Sequence, residues 1–282
     1  MKMKNMKIIW LITIFIIIFI LILIFRRLFF KRKLQQFSQQ IRQKINYINL
    51  LMHKIHESIG IRYPSIYYEL QKIDNFVLSN KFKLCSMKRI QTILKHLEDI
   101  ENILIQVHFQ NNKNDQIEFS IPYMMLLTYN QIIEVLLDKY GEVPGNYFLD
   151  QQCTKVNEYI KRSSEGLQIH HIKENEMKGL SNPEFARKAP FSYQMEYNLV
   201  YCNLLEHFLL HCKIWDHSAN PLQVDVGQNG AQILLNELEQ IHFANTWRYQ
   251  NYKRKAAQTI FFQKKSFFQC RRFFIVLQII KS

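Results

Sequence analysis

Seven glycines among 282 residues leave little of the backbone freedom that tight turns and strand bends draw on, and this scarcity points the chain toward helices. The periodicity of the apolar residues agrees. Ile41, Ile45, Ile48, Leu51, Met52 and Ile55 recur at three- and four-residue steps, and Ile90, Ile93, Leu94, Leu97, Ile100, Ile103 and Leu104 repeat the pattern after Gly60 and Pro64 break it. A helical stalk or bundle over residues 34–115 is expected, closed by the polar run 111–115. Ile132, Ile133, Val135, Leu136 and Leu137 suggest one more helix, stopped at Gly141 with Pro144 and Gly145 beyond it. With 48% apolar residues the chain has material for a substantial core.

Residues 8–25 are apolar except for Thr13, and eighteen residues of helix span about 27 Å, enough to cross a bilayer. Arg26 and Arg27 follow directly and no small-residue cleavage site is present, which favours an uncleaved anchor over a signal peptide. Lys2, Lys4 and Lys7 precede the run, whereas Arg26, Arg27, Lys31, Arg32 and Lys33 follow it. The positive-inside rule therefore puts the body in the cytoplasm, as a single-pass membrane protein anchored by residues 1–33. Cys85, Cys153, Cys202, Cys212 and Cys270 show no paired spacing, which fits reduced thiols in that compartment.

The net charge of +14 calls for a polyanionic partner, either nucleic acid or an anionic membrane face. After Glu239 there is no acidic residue, and the tail over 247–282 interleaves Lys and Arg with Phe261, Phe262, Phe267, Phe268, Phe273 and Phe274. Such a pattern suits a nucleic-acid backbone, a membrane surface or an incidental tail.

Chemistry concentrates in the segment between. His170 and His171 end a short apolar run over 165–172 that reads as a strand, with Ile169 and Ile172 to pack beneath them. Residues 199–202 make a plausible second strand, and Asn203 with Glu206 has the spacing of a capping box for the helix that follows. On that helix His207 and His211 lie four apart, hence on one face, and His207 follows Asn198 by nine positions. A helix is expected again over 231–241, after a loop holding Pro221, Gly227 and Gly230.

His170, His171, Asn198, His207 and His211, on a strand, long loop, strand and helix, resemble the HNH nucleases of the His-Me finger (ββα-metal) superfamily. In its double histidine and final His-x-x-x-His the pattern is most similar to the nuclease colicins. The resemblance covers residues 165–214, and upstream Leu127, Thr128, Tyr129, Asn130 and Gln131 with Lys139, Tyr140 and Gly141 look like the lead-in of phage-type HNH proteins. It implies an α+β, mostly helical fold with an HNH domain over 116–246, a divalent metal on His170, His207 and His211, His171 as general base, and Asn198 orienting it. The implied activity is endonucleolytic hydrolysis of phosphodiester bonds, with DNA as the expected partner.

Imidazole near its ordinary pKa of about 6.5 can take a proton from water, which makes His171 chemically apt for that role. Three imidazoles suit zinc, nickel, cobalt or manganese better than magnesium. Arg162, Arg187 and Lys188 are candidate phosphate contacts. The interval from His171 to Asn198 is longer than in the colicins, and its excess is expected to form a surface insertion. Competing readings are a structural zinc site on Cys202, Cys212, His207 and His211, and a non-catalytic tethered scaffold or nucleic-acid-binding protein with a degenerate HNH fold.

Overall fold

Helices dominate the computed structural model, which describes residues 2–59, 62–112, 120–217, 226–244, 251–260 and 263–281, without the side chains of 2–18, 58–59, 108–112, 244 and 251–253. The first four helices are α1 (Lys2–Ile59), α2 (Pro64–Leu78), the short α3 (Asn80–Lys83) and α4 (Met87–Asn112). Proline at the first position of α2 loses no helical hydrogen bond there and pre-sets φ for the turn. Packing of α1 on α2 and α4 buries the expected stripes, including Ile41, Ile45, Ile48 and Ile55 against Ile90, Ile93, Leu97 and Ile100. Each such side chain contributes about 1.5–3 kcal/mol by leaving water.

Among the described residues no helix is long and apolar enough to cross a membrane. The apolar run of the expected anchor falls within α1, but the side chains of its residues 8–18 are not described. The described remainder of that run exposes its apolar groups: Phe19, Leu21, Ile24 and Phe25 face solvent, as do Leu28, Phe29 and Phe30 beyond it.

After α5 (Ile121–Met125) comes α6 (Tyr129–Tyr140), opened by a capping box in which Thr128 and Gln131 satisfy one another's backbone N–H groups. Gly141 ends α6 at φ 78°, a conformation that strains other residues. The expected strand, loop, strand and helix then follow. β1 (Gln168–His171) pairs antiparallel with β2 (Leu199–Cys202), placing His170 opposite Val200 and His171 opposite Leu199. Between the strands lie 3-10 turns and the short α7 (Pro183–Ala186).

Asn203 caps α8 (Leu204–His217) as its spacing foretells. Its Oδ1 accepts from the N–H groups of Leu205 and Glu206 at 2.9 Å, and Glu206 returns the bond to Asn203 N–H at 2.7 Å. Lys139 at 2.8 Å and the Tyr140 hydroxyl at 3.0 Å add to the same buried carboxylate, so α6 and α8 are tied at the cap. The far end of α8 enters the helical region: Lys213 donates to Ser65 Oγ at 2.9 Å and Met125 O at 2.8 Å, and Asp216 pairs with Lys72 at 2.6 Å.

The remaining helices are α9 (Gln228–Glu239), α10 (Asn251–Ile260) and α11 (Lys264–Lys281). Gly230, expected in a loop, lies inside α9, whose start at Gln228 precedes the expected one; Pro221 lies outside the described residues. Of the tail aromatics named from the sequence, Phe261 and Phe262 lie outside the described residues and Phe268 is half-buried. Phe267, Phe273 and Phe274 are buried with Cys270, Val276 and Leu277 on one face of α11, which packs on α4 and α8. Its arginines are engaged as well, Arg271 with Glu239 at 2.8 Å and Arg272 with Asp99 at 2.5 Å. Helical periodicity accounts for part of the interleaving: Phe267, Phe273 and Phe274 fall on the buried side, whereas Lys264 and Lys265 are exposed.

Candidate metal centre

Side chains alternate across a strand, so adjacent histidines on β1 serve different faces. Gln168 and His170 turn to α8, whereas His171 turns to the segment between the strands. On α8 the four-residue step aligns His207 and His211, and the imidazoles of His170, His207 and His211 gather with ring centres 4.9–5.3 Å apart. Glu174 joins them from the 3-10 turn Ile172–Asn175 that follows β1. One ligand atom from each of His170, Glu174, His207 and His211 lies within 4.8 Å of all the others, a set that could hold a metal ion.

The hydrogen bonds around this set fix the tautomers of His170 and His207. Tyr129 donates its hydroxyl proton to Ile172 O at 2.8 Å, so toward His170 Nε2, at 2.9 Å, its oxygen must accept. His170 is thereby protonated on Nε2, and its Nδ1, buried and without a hydrogen-bond partner, aims a lone pair at Glu174 Oε2 at 3.6 Å. His207 Nδ1 meets Gln168 Oε1 at 2.7 Å and so carries its proton there, leaving the Nε2 lone pair toward His211 Nε2 at 3.2 Å. His211 Nε2 is in turn 3.4 Å from Glu174 Oε2. Acceptors thus converge on acceptors in a buried place, an arrangement that repels unless a cation or shared protons sit among them. Tyr129 and Gln168 are the outer partners that orient metal-ligating imidazoles in such sites.

Burial sets the charges. Loss of water holds His170 well below the ordinary histidine range, with the neighbouring imidazoles adding to the effect, and the same two causes act on His207. Burial brings His211 down to about 4 and lifts the Glu174 carboxyl to about 7, although the Leu180 N–H partly opposes the latter shift. The imidazoles are therefore neutral, the form that ligates metal.

His211 is positioned by a glycine. A Cβ at Gly230 would lie 2.5 Å from His211 Cε1 and 2.9 Å from Cγ, so the ring packs directly on the backbone of α9. Nothing in the sequence singles out Gly230 for this purpose, since its partner lies on another helix.

His171 is held from the opposite side. Gln194, fully buried, donates through Nε2 to Leu180 O at 3.2 Å, which points its Oε1 at His171 Nε2 at 2.9 Å. The imidazole proton is therefore on Nε2 and the lone pair on Nδ1. Tyr147 packs on the ring at 4.5 Å between centres, and its backbone N–H holds Gln194 O at 2.8 Å. Burial lowers His171 to about 4, the bond to Gln194 working in the other direction.

Asn198 does not touch the base. Its Nδ2 donates to Ser192 O at 2.8 Å, closing the turn Phe191–Gln194 on which Gln194 rides. The interval expected as a surface insertion instead supplies Leu180, Gln194 and the Asn198 to Ser192 bond to the site, because a buried imidazole needs a buried partner.

A cleft of about 490 Å³ opens onto His171, Glu174, His207 and His211, with Lys178 at its rim. Arg162 spans Glu165 at 2.7 and 2.6 Å and Tyr140 O at 2.7 Å, Arg187 bonds Pro183 O at 2.9 Å, and Lys188 faces Glu184 at 3.9 Å. None of the three lines the cleft, whereas Lys178 does. The alternative zinc set fails on geometry: the cluster contains no cysteine among the described residues, and the five thiols are buried and free. Sequence reasoning missed Glu174 and Gln194, which carry no motif spacing, though Tyr129, Lys139 and Tyr140 stand within the lead-in it noticed. No protein-family profile, curated protein or solved structure matches the chain.

Proposed function

We propose that the chain is a metal-dependent phosphodiester hydrolase of HNH type acting on nucleic acid, DNA first among substrates. The observation that carries this reading is the convergence of His170, Glu174, His207 and His211 beside a separately held, neutral His171, all opening on one cleft. A divalent ion bound there would stabilise charge developing on the phosphate and the leaving oxygen. His171, with its proton parked toward Gln194, takes the proton of the attacking water at Nδ1. A general base is worth about 10²- to 10⁴-fold when its pKa lies near the working pH, and burial, which brings His171 to about 4 rather than the ordinary range expected from the sequence, puts it at the weak end of that contribution. Gln194 and Tyr147 hold the ring, Asn198 secures the turn beneath Gln194, and Lys178 meets the phosphate at the rim. The net charge of +14 favours encounter with polyanions at low ionic strength.

We place the enzyme at a membrane, held by residues 8–25 with the body in the cytoplasm. The support is the length of the apolar run and the exposed groups from Phe19 to Phe30. The test of the chemistry is plasmid cleavage by purified protein with manganese, zinc, nickel, cobalt or magnesium. Wild type should nick, and His171→Ala should not while still binding metal; a folded, metal-loaded wild type that cleaves neither DNA nor RNA overturns the reading. Carbonate-resistant sedimentation, lost on deletion of residues 1–33, checks the anchor.

A further inference from the structure

The ligand count distinguishes an open catalytic ion from a closed one. Three protein ligands leave a position for water or substrate, whereas four complete a tetrahedron. In the resemblance to the colicins the protein supplies His170, His207 and His211 alone, yet in this fold a carboxylate stands in their midst.

Its spacing is that of a ligand. Metal–ligand bonds of about 2.0–2.1 Å place tetrahedral ligand atoms about 3.3 Å apart. Three of the six separations here are 3.2 Å from His207 Nε2 to His211 Nε2, 3.4 Å from His211 Nε2 to Glu174 Oε2, and 3.6 Å from His170 Nδ1 to Glu174 Oε2, and all six fall within 4.8 Å. The carboxylate is also committed to the place. The 3-10 turn Ile172–Asn175 begins at the residue after β1, so the same strand end carries His170 and Glu174, and the backbone N–H of Leu180 bonds the Glu174 carboxylate. Glu174 is buried and has no lysine or arginine partner within ion-pair distance among the described residues; His170 and His211 are its neighbours at that distance, with Tyr129, Tyr147 and Cys202 farther around it and His207 and Lys178 along the same cleft.

We propose that Glu174 is the fourth protein ligand of the cation, closing its shell at rest, and that a substrate phosphate enters by displacing this carboxylate. The proposal rests on the metal-centre reading above and adds to it a self-ligand that competes with substrate. Phosphate and carboxylate are both anionic oxygen donors, so one can replace the other without change in the three imidazoles. Glu174 also borders the cleft, which is where a displaced carboxylate and an incoming phosphate would exchange.

The experiment compares wild type, Glu174→Gln, Glu174→Asp and His207→Ala in full-length protein. Zinc affinity is measured by competition with a chromophoric chelator, inorganic phosphate affinity on the zinc-loaded form by calorimetry, and the visible spectrum after cobalt substitution. Glu174→Gln should lose at least the about 10- to 100-fold in zinc affinity that removal of an outer partner costs. It should bind phosphate more tightly than wild type, and phosphate should shift its cobalt spectrum at concentrations that leave wild type unchanged; Glu174→Asp should fall between. Melting of the metal-free proteins verifies folding, and glutamine, being neutral and of the same size, suits the buried position. Unchanged zinc and phosphate affinity in Glu174→Gln, with zinc lost in His207→Ala, overturns the proposal and leaves the three-histidine site standing. Folded wild type that binds no metal, or His207→Ala that binds it normally, overturns both.

Discussion

Replacing Gly230 with alanine tests the site through a cleft-lining residue that has no side chain to offer an ion. The nearest neighbours of the added Cβ all belong to the His211 ring, with Cε1 at 2.5 Å, and ordinary contact begins at 3.4 Å. The ring must therefore retreat by about 0.9 Å, several times the roughly 0.2 Å that metal–ligand distances tolerate. His211 should drop out of the ligand set, weakening zinc by about 100-fold or more, equivalent to about 2.7 kcal/mol. Stability of the metal-free protein responds in two opposed ways. Alanine favours a helix over glycine by up to about 1 kcal/mol, while overpacking costs about 1–3 kcal/mol. The two effects separate in a double-mutant cycle followed by urea denaturation and chelator competition. Gly230→Ala should destabilise wild type yet stabilise His211→Ala, where the ring is gone, giving a coupling of about 2 kcal/mol. Stabilisation in both backgrounds with zinc affinity intact would refute the placement of His211 against α9.

Tyr129→Phe removes the acceptor of the His170 Nε2 proton, so metal affinity should fall about 10- to 100-fold with little change in overall fold, measured by chelator competition. Gln194→Ala should lower kcat for plasmid nicking by about 10-fold or more and leave zinc affinity unchanged, because it frees the tautomer of His171 only; nitrogen-15 histidine spectra should lose the Nε2-protonated signature, and its persistence would count against this role. Glu206→Ala strips the α8 cap and leaves Lys139 and Tyr140 facing an empty acceptor, for a loss of about 3–5 kcal/mol in urea denaturation; less than about 1 kcal/mol would place the carboxylate outside the structural core. All five thiols are buried, and burial pushes their pKa values up, to about 12 for Cys270. Native protein should therefore react with a thiol reagent only after denaturation, and a fast reaction at neutral pH mapped to Cys212 or Cys270 would contradict the packing of α8 and α11.

Local signals in the sequence were sufficient wherever the cause of structure is itself local. Apolar residues at three- and four-residue steps in α1 and α4 need only the geometry of their own helix to find one face. The Asn203 and Glu206 box is complete within four residues, and the His207 and His211 pair within five. Long-range placement behaved differently. Phe267, Phe273 and Phe274 look the same in a sequence whether they meet a partner or the flank of α4, and only packing chooses. The segment from His171 to Asn198 has turn-forming composition, which says that it leaves the strand but not that Gln194 returns to it.

Composition and spacing by themselves determined that this chain is mostly helical, that a strand, loop, strand and helix carry its histidines, and that His207 and His211 share one helix face; the grouping of His170 with them was implied by the family resemblance. Tertiary structure alone decided that Glu174 joins that centre, that Gln194 rather than Asn198 holds His171, and that Gly230 makes room for His211. The reason is physical: a helix or cap is selected by contacts a few residues apart, whereas a ligand shell is selected by lone pairs that meet across the fold after the chain between them has been buried.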